Sequence, residues 1–177
     1  NVIVRYGGNS LYSCININTS SLTISNSTVE YSAEDGIDVY NASTIITGSV
    51  VRNNNNNGIY LDSSTVATIS GNTIRGNGEY AIYVDDGAIN STASISGNTI
   101  SGNVYDGIRL IGGVLSVPAT WVPDAPYVIG YSVTVAAGAT LIIQPGVVVK
   151  FPANSRLSIN GTLTADGTPE QPIVFTS

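Results

Sequence analysis

The sequence predicts an all-β fold, a right-handed single-stranded parallel β-helix (a β-solenoid) of about seven coils stacked at roughly 4.8 Å. Three observations predict it. Apolar columns recur at one shared, irregular spacing; short period-2 runs are separated by Asn, Gly and Ser; and no window reads as an amphipathic helix.

The columns come first. Gly36, Gly58, Ala81 and Gly107 each open a run of the type Gly-Ile-x-Leu, at steps of 22, 23 and 26 residues. Val29, Val51, Ile74 and Ile100 repeat the same three steps, and so do Ile24, Ile46, Ile69 and Ile95. One matching column arises easily by chance; three with the same irregular steps do not. Each unit therefore holds three strands and three turns, and a lone unit cannot bury its apolar side. Stacking buries it, with equivalent strands paired in parallel.

Two further columns follow from this register. Ser32, Asn54, Asn77 and Asn103 occupy one turn position, where Asn side chains can stack as a ladder. Cys14 lies 22 residues before Gly36, in the small-residue column, and reads as a buried, inert thiol. Val2–Tyr6 supplies a strand of the first coil, with a longer loop from Gly7 to Tyr12.

The chain reads as one parallel β-helix domain over residues 1–177. Residues 1–113 carry the regular repeats. Pro118, Pro123 and Pro126 then break the pattern, so 114–127 is expected to be a bulging loop or crossover. Residues 128–177 carry further coils of a second type. There Val133-Thr134-Val135 recurs as Leu157-Ser158-Ile159, and Thr140-Leu141 as Thr162-Leu163.

Composition narrows the function classes. Hydrophobic residues at 42 % against 10 % charged are too apolar for a disordered chain. No apolar run of about 18 residues predicts a membrane-spanning helix. A net charge of −6, with six basic residues scattered singly, leaves no footprint for nucleic acid. With no His, imidazole-based metal sites and Ser-His-Asp triads are excluded.

The motif Gly-Asn-Thr-Ile (Gly71–Ile74 and Gly97–Ile100) followed by Gly-Ile-x-Leu resembles the parallel β-helix repeats of pectate lyases, polygalacturonases and related carbohydrate-binding and sugar-hydrolase domains. The tail, with Gly161-Thr162-Leu163-Thr164-Ala165 and Pro172 to Ser177, resembles a segment of large prokaryotic surface and secreted proteins. The resemblance implies an extracellular or cell-surface location and a chain taken from a longer array of coils.

Outward positions of the Gly-Ile-x-Leu strands place Asp38, Tyr60, Tyr83 and Arg109 in one column, with Tyr40, Asp62, Asp85 and Ile111 beside them. Flat aromatic faces stack on sugar rings and carboxylates accept hydroxyl hydrogen bonds, so these are candidate polysaccharide-binding residues. Tyr also favours strands and stacks on its neighbours for purely structural reasons. Asp62, Asp85 and Asp86 are candidate calcium ligands if they gather around one turn; the alternative is ordinary solvated turn acids. Lyases with the resembling fold use acids to hold calcium and an Arg or Lys to take the proton. Asp38, Asp62, Asp85 and Arg109 supply those residue types. The Asn-Thr-Asp, Gly-Asp-Asp and Gly-His-Gly motifs of polygalacturonases are absent, and no catalytic residue is assigned. No other cofactor is expected.

Two readings follow. One is a non-catalytic structural or adhesive module of a prokaryotic surface protein, its open ends stacking on identical chains as a filament subunit. The other is a carbohydrate-binding or carbohydrate-active domain, a polysaccharide lyase or glycosidase.

Overall fold

The computed structural model describes residues 1–8, 13–18, 21–63 and 65–177. The loop expected between Gly7 and Tyr12 lies outside the described residues from 9 to 12. The described chain is a right-handed parallel β-helix of about seven turns. Each turn passes through three sheets, and every strand pairing is parallel.

One sheet runs the length of the molecule. Its eight strands are Ile15–Asn18, Ile37–Tyr40, Ile59–Asp62, Tyr80–Val84, Tyr105–Leu110, Tyr127–Ile129, Val148–Lys150 and Val174–Thr176. The second sheet stacks Leu22–Ser25, Ser43–Thr47, Val66–Ser70 and Ile95–Ser96. The third stacks Ile3–Arg5, Thr28–Glu30, Val50–Arg52, Thr73–Arg75 and Thr99–Ser101. The register is the one the columns predicted: Val29 pairs with Val51, Val51 with Ile74, Ile74 with Ile100, and Ile24 through Ile95 align likewise. Alternation puts Ile37, Val39, Ile59, Leu61, Ile82, Ile108 and Leu110 inside the long sheet, where they are fully buried. β-branched side chains suit this role because they pack well against neighbours on a pleated surface.

The corners are also columns. Asn26, Gly48, Gly71 and Gly97 turn the chain between the second and third sheets, all with positive φ. Tyr6, Tyr31, Asn53, Gly76 and Gly102 do so between the third sheet and the long sheet. The left-handed conformation is open to Gly and tolerated by Asn, which is why those two types mark the turns. Tyr6 and Tyr31 are exceptions to that preference; their rings stack at 5.0 Å and 10°.

Beside each of these corners runs a buried polar ladder. The expected one is present: Ser32 N donates to Asn54 Oδ1, Asn54 to Asn77, and Asn77 to Asn103, each Asn through both its backbone N and Nδ2. A second ladder passes through Ser27, Ser49, Asn72 and Asn98. Each ladder has a direction, because donors always face the next coil. Its last member needs an acceptor, and a carboxylate provides one without adding a donor. Asp106 Oδ1 ends the first ladder on Asn103, and Asp124 Oδ2 ends the second on Asn98.

The Pro-rich stretch does not leave the solenoid. Gly113–Leu115, Ala119–Trp121 and Tyr127–Ile129 form one strand on each side, paired with Ser132–Val135, Thr140–Ile143 and Val148–Lys150. Pro118, Pro123 and Pro126 fall outside the strands, where a missing N–H breaks no ladder bond. The step here is only 19 residues, from Ile108 to its partner Tyr127, too short to match the other columns by eye.

Another irregularity accounts for the 26-residue step. Asp86–Ser94 forms a 3₁₀ segment inserted before Ile95–Ser96. It stands between the strand Val66–Ser70 on one side and Gly113–Leu115 on the other, so the second and third sheets each divide there while the long sheet continues. Ser91 Oγ splices the gap, accepting from Ala67 N and donating to Thr65 O. Beyond the division Trp121 stacks on Tyr127 at 4.5 Å and 10°, both fully buried, and fills the core of the shorter coil. Cys14 is half-buried rather than buried. Its Sγ accepts from Gly7 N at 3.2 Å in the column of Gly36.

Candidate functional site

The outer face of the long sheet gathers the residues singled out from the sequence. Asn16, Asp38, Tyr60, Tyr83, Arg109, Val128, Lys150 and Thr176 form one outward column in unbroken register. Tyr60 stacks on Tyr83 at 5.0 Å. The register slips between Tyr80 and Ile82, and this brings in two residues that the column spacing concealed. Tyr80 stacks on Tyr105 at 4.7 Å and meets Tyr83 edge-on at 6.5 Å, while the Arg109 guanidinium lies 5.7 Å above the Tyr80 ring. Four tyrosines and one arginine thus make a continuous aromatic platform. Offset ring pairs of this kind add about 0.5–1.5 kcal/mol each beyond area burial.

The acids behave differently from one another. Asp38 is half-buried between Asn16 and Tyr60. Its Oδ2 accepts from Asn16 Nδ2 at 3.1 Å, but its Oδ1 is buried with no hydrogen-bond partner. Burial, with the charges of Asp35 and Asp62 adding to it, pushes its carboxyl up to about 6. Asp35 is likewise raised, chiefly by burial, although Asn57 donates to it twice. Burial also raises the Tyr60 phenol, and the nearby Asp62 and Asp85 add to that. Its hydroxyl donates to Asp85 Oδ2 at 3.3 Å.

The candidate calcium ligands do not assemble. Asp62 Oδ1 accepts from Ser63 N at 2.5 Å and Ser63 Oγ, and Asp85 Oδ1 caps the 3₁₀ segment by accepting from Asp86 N at 2.7 Å. Among the described residues no three acidic or Cys side chains come together in a way that could hold a metal ion.

A protonated Asp38 can donate to a sugar oxygen, and that is half of a glycosidase pair. The neighbouring acids Asp62 and Asp85 accept from Ser63, and from Asp86 and Tyr60, respectively. Two shallow depressions border the platform. A groove of about 510 Å³ is lined by Tyr80, Tyr105, Val128 and Lys150 among others, and another of about 330 Å³ lies beside Asp85, Asp86 and Tyr131.

The basic residues are less scattered than their sequence positions suggest. Arg5, Arg52 and Arg75 share one outer column of the third sheet with Glu30. Glu30, 1 % exposed, pairs with Arg5 and Arg52 at 2.7 Å each. This triad clamps three successive coils. No helix among the described residues is long and apolar enough to cross a membrane.

Comparison with known proteins bears on the fold more than on the site. The family model described as "Right handed beta helix region" matches residues 10–117. Protein bark beetle of Drosophila melanogaster is 43 % identical over 54 residues, which is 30 % of this chain and 2 % of that protein. No solved structure matches the chain.

Proposed function

The chain belongs to the right-handed β-helix family, and from that premise we propose that it is a non-catalytic structural or adhesive module of an extracellular or cell-surface protein. The observation that carries this reading is where the polar side chains are spent. Asp106 and Asp124 end buried ladders, Glu30 clamps three coils, and Asp62 and Asp85 hold turns. Glu30, Asp124 and the Ser and Asn ladders act along the rod axis, from coil to coil, while Asp62, Asp85 and Asp106 bond mainly within their own coil. Their role is cohesion, as expected of a repeat protein whose stability is a sum over neighbouring repeats.

The end faces extend the proposal. Leu22 at one end and Leu163 and Phe175 at the other occupy inward positions, yet are 43 %, 37 % and 48 % exposed. Unpaired strand edges with apolar side chains accept another coil of the same cross-section. Such coils are supplied by the same polypeptide or by identical chains stacked head to tail as a filament.

The aromatic platform favours a second reading, a polysaccharide-binding face built on Asp38, Tyr60, Tyr83 and Arg109, with or without cleavage. A panel of neutral and acidic polysaccharides, assayed for retention of the chain and for new reducing ends, separates the two. The structural reading expects neither. Retention abolished by Tyr60→Ala and Tyr83→Ala together would move the assignment to the second reading.

A further inference from the structure

The outer face of the long sheet is polarised along the rod. Its first four strands present Asp38 and Asp62, with Asp85 at the end of the fourth, and no cation. Its last four present Arg109 and Lys150. The acid in that half, Asp106, is committed to Asn103 and Gly102. The middle is the platform of Tyr60, Tyr83, Tyr80 and Tyr105. Among the described residues the ion pairs are Arg5–Glu30 and Arg52–Glu30, both on another sheet, so the charges of this face have no ionic partner within the chain. Asp38 also keeps one buried oxygen without a donor.

Such a face is complementary to itself when reversed. A two-fold axis lying in the plane of contact, along the strand direction, inverts the order of strands and keeps each column opposite itself. Placed between Tyr80–Val84 and Tyr105–Leu110, the axis divides the eight strands four and four. Asp38 then faces Lys150 of the second copy, Tyr60 faces Val128, and Tyr83 faces Arg109, each twice by symmetry. In the neighbouring column Asp85 faces Ile111 and Asp62 faces Gly130, so no acid is set against an acid. A closed two-fold contact needs a self-complementary patch of this kind.

We infer that the outer face of the long sheet docks a second copy of this chain, antiparallel, through this register. The inference rests on the reading of the chain as a structural module, and it adds a lateral contact to end-to-end stacking. Strand spacing and length give a face of about 500 Å² per copy. That is below the roughly 800 Å² per partner of standard interfaces, so the pair is weak and salt-sensitive.

The test is sedimentation equilibrium of the 177-residue chain carrying Phe175→Asp, which blocks stacking at one end, from micromolar to millimolar concentration at low and high salt. A monomer–dimer equilibrium that weakens with salt is expected. Asp38→Lys alone and Lys150→Asp alone each weaken it about tenfold or more, because both place like charges face to face. The double exchange restores it. A chain that stays monomeric throughout, or a dimer indifferent to the single exchanges, overturns the inference. Monomers that ignore the polysaccharide panel leave the structural reading standing, whereas monomers retained on it or cleaving it remove both.

Discussion

Residues 1–110 and residues 113–177 build the same coil by different means. In the first region the corners are left-handed Asn and Gly, with Tyr at two of them, and buried Ser and Asn ladders lock each coil to the next. In the second the turns close on themselves, with Ala139 N donating to Ala136 O, Val147 N to Gln144 O and Ser155 N to Pro152 O. No Asn ladder appears among its described hydrogen bonds, and the core carries the Trp121–Tyr127 stack instead. Corner ladders thus add to the apolar core in one region, and an aromatic stack within the core stands in their place in the other. The long sheet, running through both, makes them one rod.

That contrast can be broken most forcefully in the second region. Trp121→Ala leaves a large cavity under Tyr127 and is expected to cost about 3–5 kcal/mol, read as a fall in the denaturation midpoint. Asn77→Ala in the first region should cost less, about 2–3 kcal/mol. It leaves two Asn54 donors without their acceptor and removes the Asn77 Nδ2 bond to the Val51 carbonyl.

Acid sharpens the comparison. Burial alone would raise Asp106, but donors from Asn103 and Gly102 outweigh it and hold its carboxyl below the usual range. A depressed carboxyl contributes stability that is present above its unfolded value, near 3.8, and lost as pH falls through the folded one. Asp38 has the opposite sign. Raised to about 6, it binds its proton more tightly in the folded chain, so its contribution grows as pH falls from 7 toward 4. Asp38→Asn should therefore stabilise the chain at pH 7 and change nothing at pH 4, as followed by thermal melts at both. Asp106→Asn should destabilise at pH 7 and lose that effect in strong acid.

The smallest effect belongs to a single corner. Asn26→Ala keeps the β-carbon in the left-handed region at φ 49° but removes the polar side chain that makes Asn tolerant of it, and should cost about 1 kcal/mol, whereas Asn26→Gly should be nearly neutral.

Much of this was legible in the residue spacing, because a parallel stack converts sequence period directly into register. The three apolar columns became three sheets, and the Ser32 to Asn103 column became a buried ladder. The Ser27, Ser49, Asn72, Asn98 and Asp124 ladder keeps the same period, but its residues look like ordinary turn polarity until their burial is seen. Asp106 and Asp124 were not readable as terminators, since that role depends on the direction in which the ladder donates. The stretch 114–127 was misread because its 19-residue step breaks the period and its prolines suggest an exit. Asp38, Tyr60, Tyr83 and Arg109 were found as a column. Tyr80 and Tyr105 were missed because the register slip hides them, and Arg5, Arg52 and Arg75 because they stand 47 and 23 residues apart.

The continuity of the rod across its two regions is tested most directly by native-state hydrogen exchange at the joint. The amides of Ile108 and Gly130 donate to Pro126 and Leu110 across it. The account predicts that they exchange as slowly as those of Asp85 and Ile37 within the first region. Fast exchange at Ile108 and Gly130, with residues 113–177 opening at a much lower free energy than the coils before them, would contradict it and divide the molecule into two independent solenoids.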